Sequence, residues 1–500
     1  MHIGFLNPQG NFDRNDSHWT EHPDFGGQLV YVKNVAIAME KHGHTVDILT
    51  RQIIDPDWPE FSNPFDSYPD APNLRIIRLP AGPINFLRKE LLWPHLISDW
   101  VPNILQFYEG DGDFPDVMTT HYGDGGVSGV LIEEATGIPF TFTAHSLGAL
   151  KMDKLDVTPD NLKEMDDYFH FGRRLVAERL SMNRSAVNVT NTKEQERFDQ
   201  YRHPAYHGAV DVNNDARFAT IPPGVDPSLF GAQANSQNED DIYQLIQSHL
   251  ARDISENRRD LPAIVAASRL DPKKNVVGLV RAFAQNKTLQ QHANLVLFTR
   301  GQDDPLHEQV QNEIAEDQVL TPIRELVNDH ELWGKISAFS IPDQPALAAA
   351  YRFFAQRRSV FALVSHHEPF GIAPLEAMVA GLPVVVTQNG GLIESLRDGD
   401  QEFGILVDPD DPNDIAQGLE HIISDSDLWH HLEACGRKHV LKHYTWESTA
   451  VDYLNLLEDI LSSPKSKKEV DLLPIHPYFQ DPSPDNDVSL QELRELYFRD

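Results

Sequence analysis

Five hundred residues exceed what one hydrophobic core organises, so the chain should hold two or three domains. Lys and Arg number 42 against 76 Asp and Glu, a formal charge of −34, and such a surface repels nucleic acid and anionic membrane. The single Cys435 excludes an intrachain disulfide and a cysteine metal cluster, and no apolar run reaches the length of a bilayer crossing. The first residues, M-H-I-G-F-L-N-P-Q-G, read as a strand rather than an export leader, so a cytoplasmic address is expected. The acidic excess has two readings: an ordinary acidic enzyme, or a halophilic one whose surface carboxylates keep it hydrated in a salty cytoplasm.

The first half alternates strands and helices. His2 to Leu6 should form a strand, followed by an irregular loop through Trp19 and Asp24. Gly26-Gly27 then opens a helix with Leu29, Val32, Val35, Ala36 and Met39 at helical spacing, which Gly43 can stop. Thr45 to Thr50, Leu74 to Leu79, Asp116 to His121, Pro139 to His145 and Ala186 to Thr190 are β-rich runs. Phe218 to Phe230, rich in proline, is the expected hinge. The polar residues Gln233 to Asp241 and a helix to about Leu250 lead into a second alternation. Its strands are Ala263 to Ser268, Asn294 to Arg300, Lys335 to Ser340, Val360 to Ser365, Pro383 to Gln388 and Phe403 to Asp408. A helix follows Tyr444-Thr445-Trp446, then surface wrapping over Pro464 to Val470 and Leu473 to Pro484, and a last helix from Ser489 to Arg499. The class is α/β, with two doubly wound units whose ligands should bind at the carboxyl ends of strands.

Four groups fall at such strand ends. Gly26-Gly27-Gln28 begins a helix where backbone amides suit an anion or sugar hydroxyls, although a Gly pair alone is also an ordinary turn. T-A-H-S, Thr143 to Ser146, ends a strand in His145, which can meet a hydroxyl or simply pack in the core. Lys89, Lys151, Arg173, Arg174 and Arg179 are cations in an acidic half; several could converge on a phosphate, and some could be a solvated helix face. S-R-L-D-P-K-K-N carries Arg269 and Lys274 across a strand–loop–helix junction, where both could reach one diphosphate. S-H-H-E-P-F-G-I-A-P-L-E, from Ser365, places Glu368 and Glu376 around a helix start whose amides at Gly371, Ile372 and Ala373 attract anionic oxygens. Gln388-Asn389-Gly390-Gly391 repeats that strand–turn–helix logic. No D-x-D pair ends a strand, so no metal site is expected.

R-L-D-P-K-K-N, E-P-F-G-I-A-P-L-E-A-M-V-A-G-L-P-V-V-V-T and N-G-G together resemble the carboxyl-terminal domain of retaining GT-B glycosyltransferases. The spacing of Glu368 and Glu376 is similar to the family that includes sucrose synthase and sucrose-phosphate synthase. F-L-N-P-Q-G, H-P-D-F-G-G-Q-L-V-Y-V, T-T-H-Y-G-D-G-G, F-T-A-H-S-L-G and R-R-L-V-A-E-R-L extend the resemblance, toward the sucrose-phosphate synthases, over most of residues 1–450. It implies a GT-B fold of two facing Rossmann-like domains with a cleft between them. Residues 1–225, completed by 447–500, would hold the acceptor, and residues 226–446 the nucleotide sugar.

The resemblance also implies roles. Glucose would pass from UDP-glucose or ADP-glucose to fructose-6-phosphate with retention, giving sucrose-6-phosphate. The donor would lie against Gly27, Arg269, Lys274, Glu368, Phe370, Gly371, Ile372, Leu375 and Glu376, with Glu376 on the ribose and Glu368 on the glucosyl hydroxyls. His145 would approach the reacting carbon and, with Arg269, Lys274 and Glu368, form the catalytic set. Gly26, Gln28, Lys89, Tyr122, Ser146, Lys151, Arg173 and Arg174 would hold fructose-6-phosphate. No cofactor or metal would be needed, neither nucleic acid nor membrane would bind, and a sucrose-phosphate phosphatase would act downstream. The long regulatory extension and phosphatase domain of some plant relatives would be lacking. Alternatives are a sucrose synthase or mannosylfructose-phosphate synthase specificity, a pyridoxal-dependent GT-B phosphorylase, and a silent sugar-nucleotide-binding regulator.

Overall fold

A computed structural model describes residues 1–19, 22, 24–233, 239–299, 301–307, 314–462 and 471–499, with the side chains of 314–317 excepted. Arg300, residues 234–238 of the polar linker, and the wrapping stretch Pro464 to Val470 lie outside the described residues. The chain divides into two compact units, Met1–Pro222 with Thr449–Asp500, and Pro223–Ser448.

Among the described residues, the first unit is built on an eight-stranded sheet. Its strands are β1 (His2–Leu6), β2 (Thr45–Arg51), β3 (Phe65–Asp66), β4 (Leu74–Leu79), β5 (Val117–His121), β6 (Phe140–Thr143), β7 (Val187–Thr190) and β8 (Phe218–Thr220). They run in the order β3-β4-β2-β1-β5-β6-β7-β8, parallel except for the short edge strand β3. All five residues of β1 are buried, as expected for parallel strands covered by helices on both faces. The register sets Leu6 beside Thr120 and His121 beside Thr143, so these strands end together. β6 stops two residues short of the expected His145, because His145 turns into a left-handed backbone with φ 54°.

The second unit carries a six-stranded parallel sheet. Its strands are β9 (Ala263–Ala267), β10 (Asn294–Thr299), β11 (Ile336–Ser340), β12 (Val360–Leu363) and β13 (Val384–Thr387). A hairpin of β14 (Arg397–Asp398) and β15 (Gln401–Glu402) precedes the edge strand β16 (Ile405–Val407). The order β11-β10-β9-β12-β13-β16 sets the carboxyl ends of β9, β12 and β13 side by side. The run V-V-V-T of β13 is wholly buried.

Two parts of the chain differ from their sequence reading. The expected hinge, Phe218 to Phe230, contains the unit boundary at Pro222–Pro223 but is not wholly irregular: its first three residues are β8, paired with β7, and Pro227–Phe230 is a short helix. The tail Leu473 to Pro484 does more than wrap a surface. Tyr478 and Phe479 are buried in the apolar cluster that contains Trp93 and Trp100, and the Leu473 amide donates to Asn183 Oδ1 at 2.7 Å.

Helix Trp446–Ser462 returns the chain to the first unit. There Tyr453 is wholly buried, with its hydroxyl 2.7 Å from Thr141 Oγ1 on β6. Tyr453→Ala should therefore cost about 3–5 kcal/mol, and Tyr453→Phe about 1 kcal/mol, in denaturant unfolding of the full chain followed by circular dichroism.

Candidate functional site

In the first unit, the polar groups gather beyond the ends of β1, β5 and β6. Gln28, near the start of helix Gly27–Lys41, donates to Asn7 and accepts from Gln9 Nε2 at 3.0 Å, which ties the helix start to the loop after β1. Gly26 and Gly27 are exposed, and a Cβ at either would meet no other atom within 4 Å, so local packing does not demand glycine there. The space in front of them is open to a ligand.

Lys89, Lys151 and Arg174 line one pocket together with Gln9, Tyr122 and Asp124. Each cation has an acidic or aromatic partner. Lys89 Nζ lies 3.0 Å from Asp24, and Lys151 Nζ lies 3.6 Å from Glu90 and 4.1 Å from the Phe169 ring centroid. Arg174 pairs with Glu178 at 2.8 Å, donates to the Ser146 carbonyl and lies over the Tyr122 ring. Burial and then the neighbouring Arg174 push the Lys151 ammonium below its usual range. Burial also disfavours the Lys89 charge, but Asp24, Tyr122 and Glu90 together outweigh it and Lys89 is raised.

Arg173 does not join this group. Its guanidinium grips Asp487 through two hydrogen bonds, at 2.9 and 2.6 Å, and stacks over Tyr478. Successive residues of a helix point about 100° apart, so Arg174 lines the pocket while Arg173, expected beside it on the acceptor, is turned to the tail. Arg179 likewise caps the carbonyls of Ala205 and His207.

Asp124 was not singled out from sequence. It sits in the first turn of helix Tyr122–Thr136 and accepts from the Gly125 amide at 2.8 Å. Burial raises its carboxyl to about 7 despite the nearby Arg174 and Lys89. The G-D-G-G run that carries it is a packing device: a Cβ at Gly125 would lie 2.6 Å from the Leu6 carbonyl oxygen, and one at Gly126 2.3 Å from Ser181 Oγ. The helix can approach β1 this closely only without side chains.

In the second unit, Lys274 Nζ meets Glu368 Oε2 at 2.6 Å, and Ser365 Oγ donates to the same oxygen at 3.3 Å. Lys274 therefore has a counter-charge already, so no bound anion is needed to explain a cation there. Arg269 is exposed, and its guanidinium bonds none of the described residues. Gly371 precedes helix Ile372–Ala380 in a left-handed conformation, φ 85°. Glu376 is half-buried on that helix, bonds none of the described residues, and is pushed by burial up to about 7. The Leu375 side chain is fully buried in the core and that of Phe370 nearly so, which leaves their backbone groups to meet a ligand.

The loops carrying these groups are stitched together. The His366 amide donates to the Lys273 carbonyl at 3.0 Å, Asn389 donates to the His366 carbonyl at 3.0 Å, and the Glu368 amide donates to the Asn389 carbonyl at 3.0 Å. Gly390 lets this happen, since a Cβ there would lie 2.1 Å from the Glu368 carbonyl oxygen. Asn275, also not singled out from sequence, is the hub. It is buried with φ 52°, donates to the carbonyls of Val364 at 3.0 Å and Pro409 at 2.7 Å, and accepts from Gly278 to cap helix Val276–Gln285. No group of three or more His, Cys, Asp or Glu among the described residues could hold a metal ion. None of the described helices is long and apolar enough to cross a membrane.

Residues 26–204 match the glycosyl transferase 4-like domain, and residues 248–439 match glycosyl transferases group 1. The chain is 41% identical, over 458 residues, to a probable sucrose-phosphate synthase of Thermosipho melanesiensis, covering 92% of this chain and 96% of that protein. The chain belongs to the sucrose-phosphate synthase family. As a member of the sucrose-phosphate synthases it is a glycosyltransferase. It is also 30% identical to the sucrose-phosphate synthase of Spinacia oleracea, of which it spans 45%. Among solved structures, the sucrose-phosphate synthase of Thermosynechococcus elongatus matches with a TM-score of 0.64 at 22% identity, covering 93% of this chain and all of that one. Anabaena HepE in complex with UDP-glucose matches with a TM-score of 0.54 at 15% identity, covering 93% of this chain and 100% of that one. The fold is that of GT-B glycosyltransferases, with a Rossmann-like sheet in each unit.

Within this sucrose-phosphate synthase family member, Asn275 should be a stability determinant. Asn275→Ala leaves two buried carbonyls unpaired, and urea unfolding of the full chain should register a loss of about 3 kcal/mol.

Proposed function

We propose that this enzyme transfers glucose from UDP-glucose to fructose-6-phosphate, with retention at the anomeric carbon, giving sucrose-6-phosphate and UDP. The observation that carries this reading is the meeting of Lys89, Lys151 and Arg174 in one pocket of a chain with a charge of −34. Three buried or half-buried cations in so acidic a protein suit a doubly charged sugar phosphate far better than a neutral sugar. The Anabaena neighbour of the same fold, whose structure holds UDP-glucose, supports the donor class.

In this reading Arg269 and Lys274 take the diphosphate, and the free amides before helix Ile372–Ala380 add the positive end of its dipole. Glu376 accepts from the ribose hydroxyls and Glu368 from those of the transferred glucose. Glu368 is tied to Lys274 and Ser365, which suits a hydroxyl-holding group better than a nucleophile. The carbon–oxygen bond to UDP breaks as the acceptor hydroxyl enters from the same face. The leaving phosphate oxygen then takes the acceptor's proton. The protein supplies positioning and charge stabilisation, without a metal or other cofactor. A phosphatase that consumes the phosphorylated disaccharide would act next.

The test is product analysis with UDP-glucose and ADP-glucose against fructose-6-phosphate and against fructose. A phosphorylated, non-reducing disaccharide with the donor's anomeric configuration is expected from fructose-6-phosphate alone; equal use of fructose would overturn the reading and favour the sucrose synthase reaction. Glu376 generates a second expectation. Its carboxyl is raised to about 7 in the free protein, while ribose hydroxyls donate to the charged form. Donor binding must then release a proton, so affinity rises with pH. UDP-glucose should bind about tenfold tighter at pH 8 than at pH 6 by calorimetry, and Glu376→Gln should flatten the dependence. A flat wild-type profile would remove Glu376 from the donor site.

A further inference from the structure

Behind His145 lies a short chain of buried polar groups that its role in transfer does not require. His121 is the last residue of β5, wholly buried, and its Nδ1 sits 2.8 Å from His145 Nε2. The other His121 nitrogen, Nε2, lies 3.2 Å from Thr119 Oγ1, two residues back on the same face of the strand. Phe5 stacks flat on the His121 ring with 5.7 Å between centroids, and Tyr31 meets His145 edge-on at 5.2 Å. Both imidazoles are thus fixed in plane and position. His145 Nδ1 bonds none of the described residues, and its ring lies 6.4 Å from that of Tyr122, which lines the cationic pocket.

The proton positions follow from accounting. Two neutral imidazoles in contact need one donor and one acceptor at the shared bond. Thr119 is fully buried, and among the described residues its hydroxyl has a single partner, His121 Nε2. If His121 Nε2 carried the proton, the threonine proton would have no acceptor, a costly loss in a dry site. The hydroxyl therefore donates to His121 Nε2. His121 then carries its proton on Nδ1 and donates to His145 Nε2. His145 must carry its own proton on Nδ1. Burial holds His121 well below the usual imidazole range and His145 at about 3, so neither ring takes a second proton near neutrality.

We propose that Thr119 and His121 are positioning residues that lock His145 as its Nδ1–H tautomer, so that it offers a substrate hydroxyl a hydrogen-bond donor and no lone pair. Such a ring cannot serve as a general base or a nucleophile: one nitrogen is protonated and the lone pair of the other is occupied. The lock itself stands on the geometry alone; its effect on turnover rests on the function proposed above.

The test uses the full chain labelled with ¹⁵N-histidine. Long-range ¹H–¹⁵N correlation spectra at neutral pH, assigned against His121→Asn and His145→Asn, report which nitrogen of each ring is protonated. Nδ1–H and bare Nε2 are expected on both rings; a His145 ring protonated at Nε2, or at both nitrogens, overturns the lock whether or not sugar transfer is detected. Thr119→Val keeps the shape of the side chain and removes its hydroxyl. It should mix the His145 tautomers and lower kcat about tenfold at unchanged KM for donor and acceptor, and Thr119→Ser should restore both. If tautomer and kcat do not change together in Thr119→Val, the link to turnover is overturned.

Discussion

Parallel strands covered on both faces leave polar side chains only one place to go, and that constraint shapes both units. Along β1, β9 and β13 nearly every residue is buried, so the sequence is apolar until the strand stops. Register then lines up the stopping points: β1 with β5 and β6 in one sheet, β9 with β12 and β13 in the other. Gln28, Tyr122, Asp124, His145 and Ser146 fall at one such edge. Arg269, Lys274, Glu368 and Gly390 fall at the other. The groups of the candidate site are carried on loops whose positions the buried sheets dictate.

Charge is handled differently at the two edges. In the first unit the cations are sunk beside acids: Lys89 with Asp24, Lys151 with Glu90, Arg174 with Glu178. Such pairs keep buried charges compensated by the protein. In the second unit Lys274 is paired with Glu368, while Arg269 stands open to solvent. Two carboxyls, Asp124 and Glu376, are raised to about 7 by burial, and both lie among residues of the candidate site.

Much of this was legible in the residues. Alternating apolar runs and helical spacings gave the strand positions closely, because buried parallel strands are nearly uniform in composition. Motif spacing located Lys274, Glu368 and Glu376, since strand–turn–helix corners have short, fixed lengths. Less legible was what a single residue step decides. Arg173 and Arg174 look alike in a sequence, yet the first holds Asp487 on the tail and the second faces the pocket. Leu375 sits inside a conspicuous motif, but its helical position turns it into the core. β8 was hidden in a proline-rich stretch because its three residues owe their extended form to pairing with β7 rather than to their own preference.

The sequence by itself determined the class of fold, the succession of strands and helices, and the family's motifs, because these depend on local composition and short spacings. Tertiary structure alone decided which distant groups meet. Asn275 reaches Val364 and Pro409, 89 and 134 residues away, and His121 faces His145 across 24 residues. Tyr453 returns to β6 from 312 residues downstream. Such pairings carry no local signature, since an asparagine, a histidine or a tyrosine reads the same whether its partner is water or a buried hydrogen-bonding group. Only the packing of both sheets fixes their partners, and with them the direction of each hydrogen bond.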